Sequence, residues 1–494
     1  MLSLSGIRPS GGSSEGLNTL VVGAGEAGRT LARSLRRSPN YGLRPICFLD
    51  DAPSLIRVAG LPVYRPISDL AEIARTHNAD ACIVAIPSLP APRLAAIVES
   101  ARTAGLHVRY LPSFLAAVER EARLSDLRQL RVEDLLGRRE LHVISRKAAK
   151  LIAGRRVLVT GAGGSIGSEL CRQIQSFGPE SLHLLDHDES NLHGLQLAIM
   201  GNGLLDIDEI IIADIRDQRR IDQVFETVKP ELVFHAAAHK HLPLLERHPC
   251  EAVKSNVLGT QNLVEAAIRH GASRFVLIST DKAADPASVL GASKRLAELV
   301  VQRAAGGPVT LASVRFGNVL GSRGSFLSVL ADQIAKAEPV TVTHPDVSRF
   351  FMTVEEAVGL VLEAAAMAEY AETFVLDMGE PVEIVKLVRK YAEQMNLPEI
   401  QIRYTGLRPG EKLTEKVFSD AEERVRSAHP KIWATRRTAL PEDFEILLKS
   451  LYAAADDGDS VQAKQLLRQL VPEYEPSERL ETPVSMGAPY PDGF

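Results

Sequence analysis

The sequence predicts an α/β protein built on two doubly wound parallel sheets, and three observations carry that prediction. Apolar, β-prone runs alternate with helix-favouring stretches along most of the 494 residues. Two of these runs lead directly into glycine-rich turns followed by helical patterns, at Gly23-Ala24-Gly25-Glu26-Ala27-Gly28 and at Gly161-Ala162-Gly163-Gly164-Ser165-Ile166-Gly167. Strands separated by helical segments need right-handed crossovers, which lay them parallel.

In the first Rossmann-like domain, expected over residues 18–115, Thr19 to Val22 is the opening strand and Arg29 to Arg36 the helix after the glycine turn. A strand from Pro45 to Leu49 ends at Asp50 and Asp51, and the helical Ile67 to His77 precedes a strand from Ala81 to Ile86. Residues 116–147 are strongly charged and helix-favouring, and read as a helical connection. The pattern then restarts: a strand from Arg156 to Thr160, the second glycine turn, and a helix from Ser168 to Phe177. Further strands are expected at Ser181–Leu185, Glu209–Ala213, Leu232–His235, Arg274–Ser279 and Thr310–Arg315. This second Rossmann-like domain, 148–437, includes a smaller C-terminal substrate-binding part. Two helices, Pro441–Asp456 and Ser460–Leu470, and a loose Pro-rich end fill 438–494, while the Gly- and Ser-rich residues 1–17 read as a flexible tail.

Composition narrows the function classes. A hydrophobic share of 45% and a charged share of 24% suit a globular chain of two or three domains. The net charge of −5, from 57 basic and 62 acidic residues spread along the chain, leaves no footprint for nucleic acid or an anionic membrane. No apolar run approaches the roughly 18–20 residues that cross a bilayer, so a soluble, cytoplasmic protein is expected. Cys47, Cys82, Cys171 and Cys250 stand far apart, which suits reduced thiols and offers neither a metal site nor a disulfide framework.

A dinucleotide pyrophosphate needs backbone N–H donors and a helix N-terminus at close range, and glycine permits both. Gly161, Gly164 and Gly167 have that spacing, with Ser165 and Ile166 opening the helix. Asp186 closes the next strand 19 residues after Gly167, where a carboxylate accepts the adenosine ribose hydroxyls and repels a 2′-phosphate. NAD is therefore expected rather than NADP. Asp214, after the third strand, is placed to accept a hydrogen bond from the adenine amino group. The first loop has the same features, with Asp50 22 residues beyond Gly28, but no catalytic-looking cluster follows it. Nucleotide binding, regulation by another small molecule, and simple packing all remain open for that domain.

The fifth strand of the second domain ends in Ser279-Thr280-Asp281-Lys282, which sets polar groups at the carboxyl edge of the sheet. Lys294 stands where the lysine of Tyr-x-x-x-Lys bonds the nicotinamide ribose in short-chain dehydrogenases, but the tyrosine position is Leu290. Leucine cannot deprotonate a hydroxyl, so an ordinary alcohol dehydrogenase is disfavoured.

With these motifs the chain resembles the CapD-type polysaccharide biosynthesis family, bacterial nucleotide-sugar 4,6-dehydratases of the extended short-chain dehydrogenase/reductase superfamily. The resemblance spans essentially the whole chain. Besides the second glycine loop it rests on His235-Ala236-Ala237-Ala238-His239-Lys240-His241, Ser279-Thr280-Asp281-Lys282-Ala283, Arg315-Phe316-Gly317-Asn318-Val319-Leu320-Gly321-Ser322-Arg323-Gly324, Arg349-Phe350-Phe351-Met352 and Gly406-Leu407-Arg408-Pro409-Gly410-Glu411-Lys412. There are departures: Leu290 where the family has methionine, His239 where tyrosine is common, and no N-terminal membrane helices of the kind most long members carry. A chain soluble by nature or by truncation is expected from the last.

The resemblance implies oxidation of a UDP-sugar at C4 by NAD, loss of water across C5 and C6, and hydride return to C6. UDP-N-acetylglucosamine is the implied substrate and a homo-oligomer the implied assembly. Thr280 would hold the 4-hydroxyl, Asp281 would protonate the departing C6 oxygen and Lys282, with a lowered pKa, would take the C5 proton. Ala236 and Ala237 would line the cofactor with Lys294. Lys240, His241, Asn318, Arg323, Arg349, Arg408 and Glu411 would bind substrate, the arginines on its diphosphate and Glu411 on the uridine ribose. The base for the 4-hydroxyl is left open among His239, Lys240 and a Thr280-linked water. The competing readings are a C5-inverting dehydratase, a 4-epimerase, which normally uses the tyrosine missing here, and a non-catalytic NAD or nucleotide-sugar sensor.

Overall fold

The computed structural model describes residues 16–38, 41–51, 56–86, 89, 91–111, 128–129, 144–201, 203–205, 207–320, 326, 329–330, 333, 338–394, 400–420, 422–436 and 438–476. Arg323, nearly all of the tail at 1–17, most of the 116–147 connection and the Pro-rich end fall outside the described residues. The chain divides into two compact units, Met1–Val143 and Ile144–Phe494.

The first unit comprises β1 (Leu17–Val22), α1 (Glu26–Arg37), β2 (Leu43–Leu49), β3 (Arg57–Val58), β4 (Leu61–Tyr64), α2 (Leu70–Thr76), β5 (Ala81–Val84), α3 (Ala91–Thr103), β6 (His107–Tyr110) and β7 (Arg128–Gln129). The sheet order is β3-β4-β2-β1-β5-β6-β7, parallel from β4 to β6 and antiparallel at both edges. Val21 and Phe48 pack under Leu31 and Leu35 of α1, whereas Leu20, Val22 and Leu49 pack on the opposite face with α2 and α3. Alternation along each strand sends successive side chains to opposite faces, and because helices cover both, the strands read as unbroken apolar runs. Strand β7 lies inside the stretch expected to be helical.

The second unit begins with α4 (Arg146–Ile152), β8 (Arg156–Thr160), α5 (Ser165–Ser176), β9 (Ser181–Asp186), α6 (Glu189–Met200), β10 (Ile210–Ile212), α7 (Gln218–Val228) and β11 (Leu232–His235). It continues through α8 (Leu242–Arg247) and α9 (Pro249–Ala252), whose axis passes by a π-helical turn, Val253–Leu258, into α10 (Gly259–Arg269). Next come β12 (Arg274–Ile278), α11 (Val289–Arg303), β13 (Thr310–Arg315), β14 (Asn318–Leu320), β15 (Val340–Val342), β16 (Ser348–Arg349), β17 (Phe351–Thr353), α12 (Val354–Met367) and β18 (Glu372–Leu376). The unit closes with β19 (Val382–Glu383), α13 (Ile384–Gln394), β20 (Ile402–Tyr404), β21 (Arg424–Arg426), β22 (Ile432–Thr435), α14 (Phe444–Asp456) and α15 (Ser460–Leu470).

Among the described residues, nine strands form its main sheet in the order β10-β9-β8-β11-β12-β13-β18-β22-β21. The run from β10 to β18 is parallel, and β22 and β21 are antiparallel additions. Strand order reverses between β8 and β11, which opens a crevice at their carboxyl ends. The pairs β14–β17, β15–β20 and β16–β19 make the smaller part. Helices α14 and α15 bury Phe444, Leu448, Leu451, Leu467 and Leu470 against Val257, Val289 and Leu296. The four cysteines are free and buried, and among the described residues no helix is long and apolar enough to cross a membrane.

Candidate active site

The crevice is built from the ends of β8, β11, β12 and β13. After β8 the backbone turns at Gly161 with φ +67°, where a Cβ would lie 2.5 Å from the Ala237 amide nitrogen. A Cβ on Gly167 would lie 2.0 Å from the Gly161 carbonyl oxygen. Glycine is therefore imposed at both positions, by a left-handed backbone and by backbone-to-backbone contact. The result brings Gly164, Ser165, Ile166 and Gly167, at the N-terminus of α5, onto the wall of a cavity of about 870 Å³. Asp186, at the end of β9, accepts the Gly163 amide at 2.9 Å and the Asp188 amide at 3.1 Å, so its carboxylate is fixed beneath the loop. Asp214 is gripped by Arg216, whose Nη2 lies 2.6 Å away. Burial works to raise the Asp214 carboxyl, but the bonds and charge of Arg216 hold it below its ordinary range. The carboxylate expected to meet adenine is thus already paired.

Behind the crevice, His235 bridges Thr160 and Thr260 at 2.8 and 2.9 Å. Thr260 spends its hydroxyl proton on the Asn256 carbonyl, so it must accept from His235 Nε2–H, which leaves Nδ1 to accept from Thr160. Burial keeps this imidazole well below its ordinary pKa, neutral and structural. Asn256, on the π-helical turn, accepts the His239 amide at 2.8 Å and donates to the His239 carbonyl and to Ser293. It anchors the loop that sets Ala236, Lys240 and His241 on the cavity wall.

The end of β12 carries the reactive-looking groups. Thr280 Oγ1 donates to Asp281 Oδ1 at 2.9 Å, and Lys282 Nζ donates to the same oxygen at 2.9 Å and to Asn318 Oδ1 at 3.3 Å. Thr280, Lys282 and Asn318 face the cavity, whereas the Asp281 side chain is 0% exposed behind them. Asp281 Oδ2 is buried with no hydrogen-bond partner among the described residues. Burial alone would lower the Lys282 pKa, but the charges of Asp281 and Glu415 raise it. This corrects the lowered value expected from sequence: as it stands, the site stabilises the ammonium.

Lys294, on α11, is 4% exposed and donates to the Ile278 carbonyl at 2.7 Å. Burial pushes it down to about 8, opposed by Glu298. Leu290, one turn earlier, lines the cavity and brings no hydroxyl to it. A network missed from sequence fixes this edge from below. Ser279 donates to Glu298 at 2.6 Å, and Arg315 binds Glu298 through two nitrogens at 2.7 and 2.6 Å and Glu422 at 2.8 Å. Burial would raise the Glu298 carboxyl, yet Arg315 and Arg295 hold it below its usual range.

At the far end of the cavity Glu411 gathers both arginines. Arg349 Nη2 lies 3.0 Å from its Oε1, which also accepts Thr343, and Arg408 Nε lies 3.1 Å from its Oε2. Glu411 therefore organises the arginines, with each oxygen engaged, where sequence suggested an open acceptor for ribose. Of the expected site residues, Gly161, Asp186, Asp214, Ala237 and Asp281 do not line the cavity, and Arg323 lies outside the described residues. Glu415, which lines the cavity beside Lys282, was not anticipated.

Residues 157–437 match the family described as Polysaccharide biosynthesis protein, and residues 10–112 match one described as CoA-binding domain. The chain is 39% identical over 438 residues to the probable polysaccharide biosynthesis protein EpsC of Bacillus subtilis, a match covering 87% of this chain and 73% of EpsC. It is also 39% identical over 425 residues to the capsular polysaccharide biosynthesis protein CapD of Staphylococcus aureus, covering 84% and 71% of the two chains. Among solved structures, Pen from Bacillus thuringiensis is similar with a TM-score of 0.53 and 32% identity, over 57% of this chain and 88% of Pen. The reversal of strand order over a glycine loop, the buried Lys294 and these matches agree, and the chain belongs to the polysaccharide biosynthesis protein family.

Proposed function

We propose that the chain is an NAD-dependent 4,6-dehydratase of UDP-N-acetylglucosamine, acting in the cytoplasm to make a UDP-4-keto-6-deoxy sugar for glycan synthesis. The observation that carries this reading is that Thr280 and Lys282, on a cavity wall where Leu290 leaves no tyrosine hydroxyl, both hydrogen-bond the Asp281 carboxylate buried behind them. An acid and a base are joined there, which elimination requires and simple alcohol oxidation does not. The cradle fits a dinucleotide: the close backbone packing that only glycine allows at Gly161 and Gly167 brings Gly164, Ser165, Ile166 and Gly167, at the N-terminus of α5, onto the cavity wall, and Asp186 stands fixed at the end of β9. Gly161, Gly164, Ser165, Ile166, Gly167, Asp186, Ala236, Ala237 and Lys294 would hold NAD. Once bound, NAD supplies a hydride acceptor for C4 and the same hydride for C6.

The chain's own groups handle protons. Thr280 receives the 4-hydroxyl and, through its bond to Asp281, passes on that proton, which gives the first deprotonation an owner without tyrosine. Protonated Asp281, behind the wall, gives its proton to the Thr280 hydroxyl as that hydroxyl passes its own to the C6 oxygen, which leaves as water. Neutral Lys282 takes the C5 proton and later returns a proton to C5. Arg349 and Arg408, preassembled on Glu411, offer bidentate donors to the substrate diphosphate, and Asn318, Lys240 and His241 complete the wall.

The test is incubation with UDP-N-acetylglucosamine in deuterated water, followed by NMR of the product. Deuterium at C5 of a 4-keto-6-deoxy sugar is expected, and the C5 configuration separates retention from inversion. Conversion of neither this substrate nor any other UDP-sugar would sink the enzyme reading.

A further inference from the structure

The dehydratase reading leaves one proton unassigned. Lys282 rests as an ammonium, yet it must be a neutral amine when it meets C5. Asp281 cannot take the surplus proton, because it is to carry the one arriving from the 4-hydroxyl.

Glu415 stands 3.8 Å from Lys282 Nζ, 5% exposed and facing the cavity. Its segment is pinned to β16: Ser348 donates to the Leu413 carbonyl at 2.8 Å and meets the Thr414 hydroxyl at 2.8 Å. Lys282 is the ion-pair partner of the Glu415 carboxylate, at a separation too long for a direct hydrogen bond, and a carboxylate this buried is costly when ionised. The charged or titratable groups acting on the pair are Asp281, Arg349 and Lys412, and Asn318 shares the Lys282 ammonium.

We propose that Glu415 is a positioning residue that takes the ammonium proton of Lys282 before elimination and returns it afterwards. The inference rests on the dehydratase reading. The step breaks one N–H bond and forms one O–H bond, with no electron transfer. A movement of about 1 Å brings the two groups to hydrogen-bonding distance. Proton by proton, the cycle closes. Asp281 gains the 4-hydroxyl proton, Glu415 gains the surplus from Lys282, and Lys282 gains the C5 proton. Asp281 then gives its proton through the Thr280 hydroxyl to the departing oxygen, Lys282 gives one to C5, and Glu415 restores the ammonium. Burial raises the Glu415 carboxyl, Asp281 adds to the effect, and the Lys282 charge opposes it. Such a shift favours uptake of a proton from a neighbouring ammonium.

Two variants of the NAD-loaded protein test this. Because the proton stays within the pair, kcat of the parent is expected to be nearly flat between about pH 6 and pH 8.5. In Glu415→Gln, Lys282 must lose its proton to solvent, so kcat should climb about tenfold per pH unit below the Lys282 pKa. Glu415→Asp should restore most of the flat profile. A loss by the same factor at every pH, unrelieved by aspartate, overturns the proposal. Acetylation of Lys282, followed by mass spectrometry against pH, needs no turnover. Its midpoint should fall in Glu415→Gln, and an unmoved midpoint overturns the coupling. If the parent converts no UDP-sugar, the dehydratase reading and its proton cycle fall, while the labelling still decides whether Glu415 governs the Lys282 proton.

Discussion

In the first unit the Ala24 amide donates to Asp50 at 2.8 Å, and in the second the Gly163 amide donates to Asp186 at 2.9 Å. The parallel continues at the last glycine of each loop. A Cβ on Gly28 would lie 2.0 Å from the Gly23 carbonyl oxygen, as one on Gly167 would from that of Gly161. The loops are thus built alike, and what differs is the other strand ends. Strand β5 runs on into buried Ala85 and β6 into buried Leu111, whereas β12 runs into Thr280, Asp281 and Lys282 and β13 leads to Asn318. Residues 1–143 also contain no lysine, and every cationic side chain there apart from histidine is arginine, which keeps its proton at any physiological pH. A glycine loop therefore marks the fold, and the residues at neighbouring strand ends mark the chemistry.

The largest test of that contrast is Lys282→Met against Asp50→Asn. Removing the amine should cost about a thousandfold or more in dehydration, at the upper part of what a general base contributes, with NAD binding and folding intact. Asp50→Asn should leave turnover within about twofold, as expected for a change remote from the chemistry. Full dehydration by the Lys282 variant would refute its role, and a comparable loss from Asp50→Asn would show that the first loop takes part in catalysis.

A second pair sharpens the same contrast. Gly28→Ala and Gly167→Ala each force a methyl group into a carbonyl oxygen, and each should destabilise its own unit by about 1–3 kcal/mol. Only Gly167→Ala should weaken NAD binding, read by titration of the folded protein. Equal weakening by both variants would assign a share of the NAD site to the first unit.

How much of this was legible in sequence depends on range. Strands such as Arg156–Thr160 and Leu232–His235 are buried on both faces and read as short apolar runs, and the loop glycines are dictated by local backbone contacts. Thr280, Asp281 and Lys282 were visible because a strand end is a local feature. Glu415 was not, since it reaches Lys282 only through the folding of a distant polar segment onto β16. The direction of the Lys282 shift failed because the charge of Asp281, held at hydrogen-bonding range, together with that of Glu415 outweighs the burial that was foreseeable. Asp214 looked open because its neighbour Arg216 had not been counted as a partner. Arg128–Gln129 became strand within a helix-favouring stretch because β6 offered an unpaired edge, which outweighs weak local propensity.

The smallest expected effect concerns Lys294, and it again separates the units because the first has no lysine to titrate. Burial pushes this amine from 10.5 down to about 8, with Glu298 opposing. The unfolded chain keeps its Lys294 proton up to about pH 10, whereas the folded chain gives it up from about pH 8. Between those values the unfolded state binds more protons, so stability gained at this site rises with pH. Below about pH 8 both states are protonated and the penalty of the buried ammonium is present in full. Lys294→Met removes the penalty together with the bond to Ile278. Its stability relative to the parent should therefore be most favourable near pH 7 and decline as pH rises toward 10, while groups common to both proteins cancel in the difference. Thermal unfolding of the two proteins at pH 7 and pH 9.5 measures this. A gap that stays constant or widens would mean that burial does not govern the Lys294 proton, and the lysine would then reach a bound ribose as an ordinary ammonium.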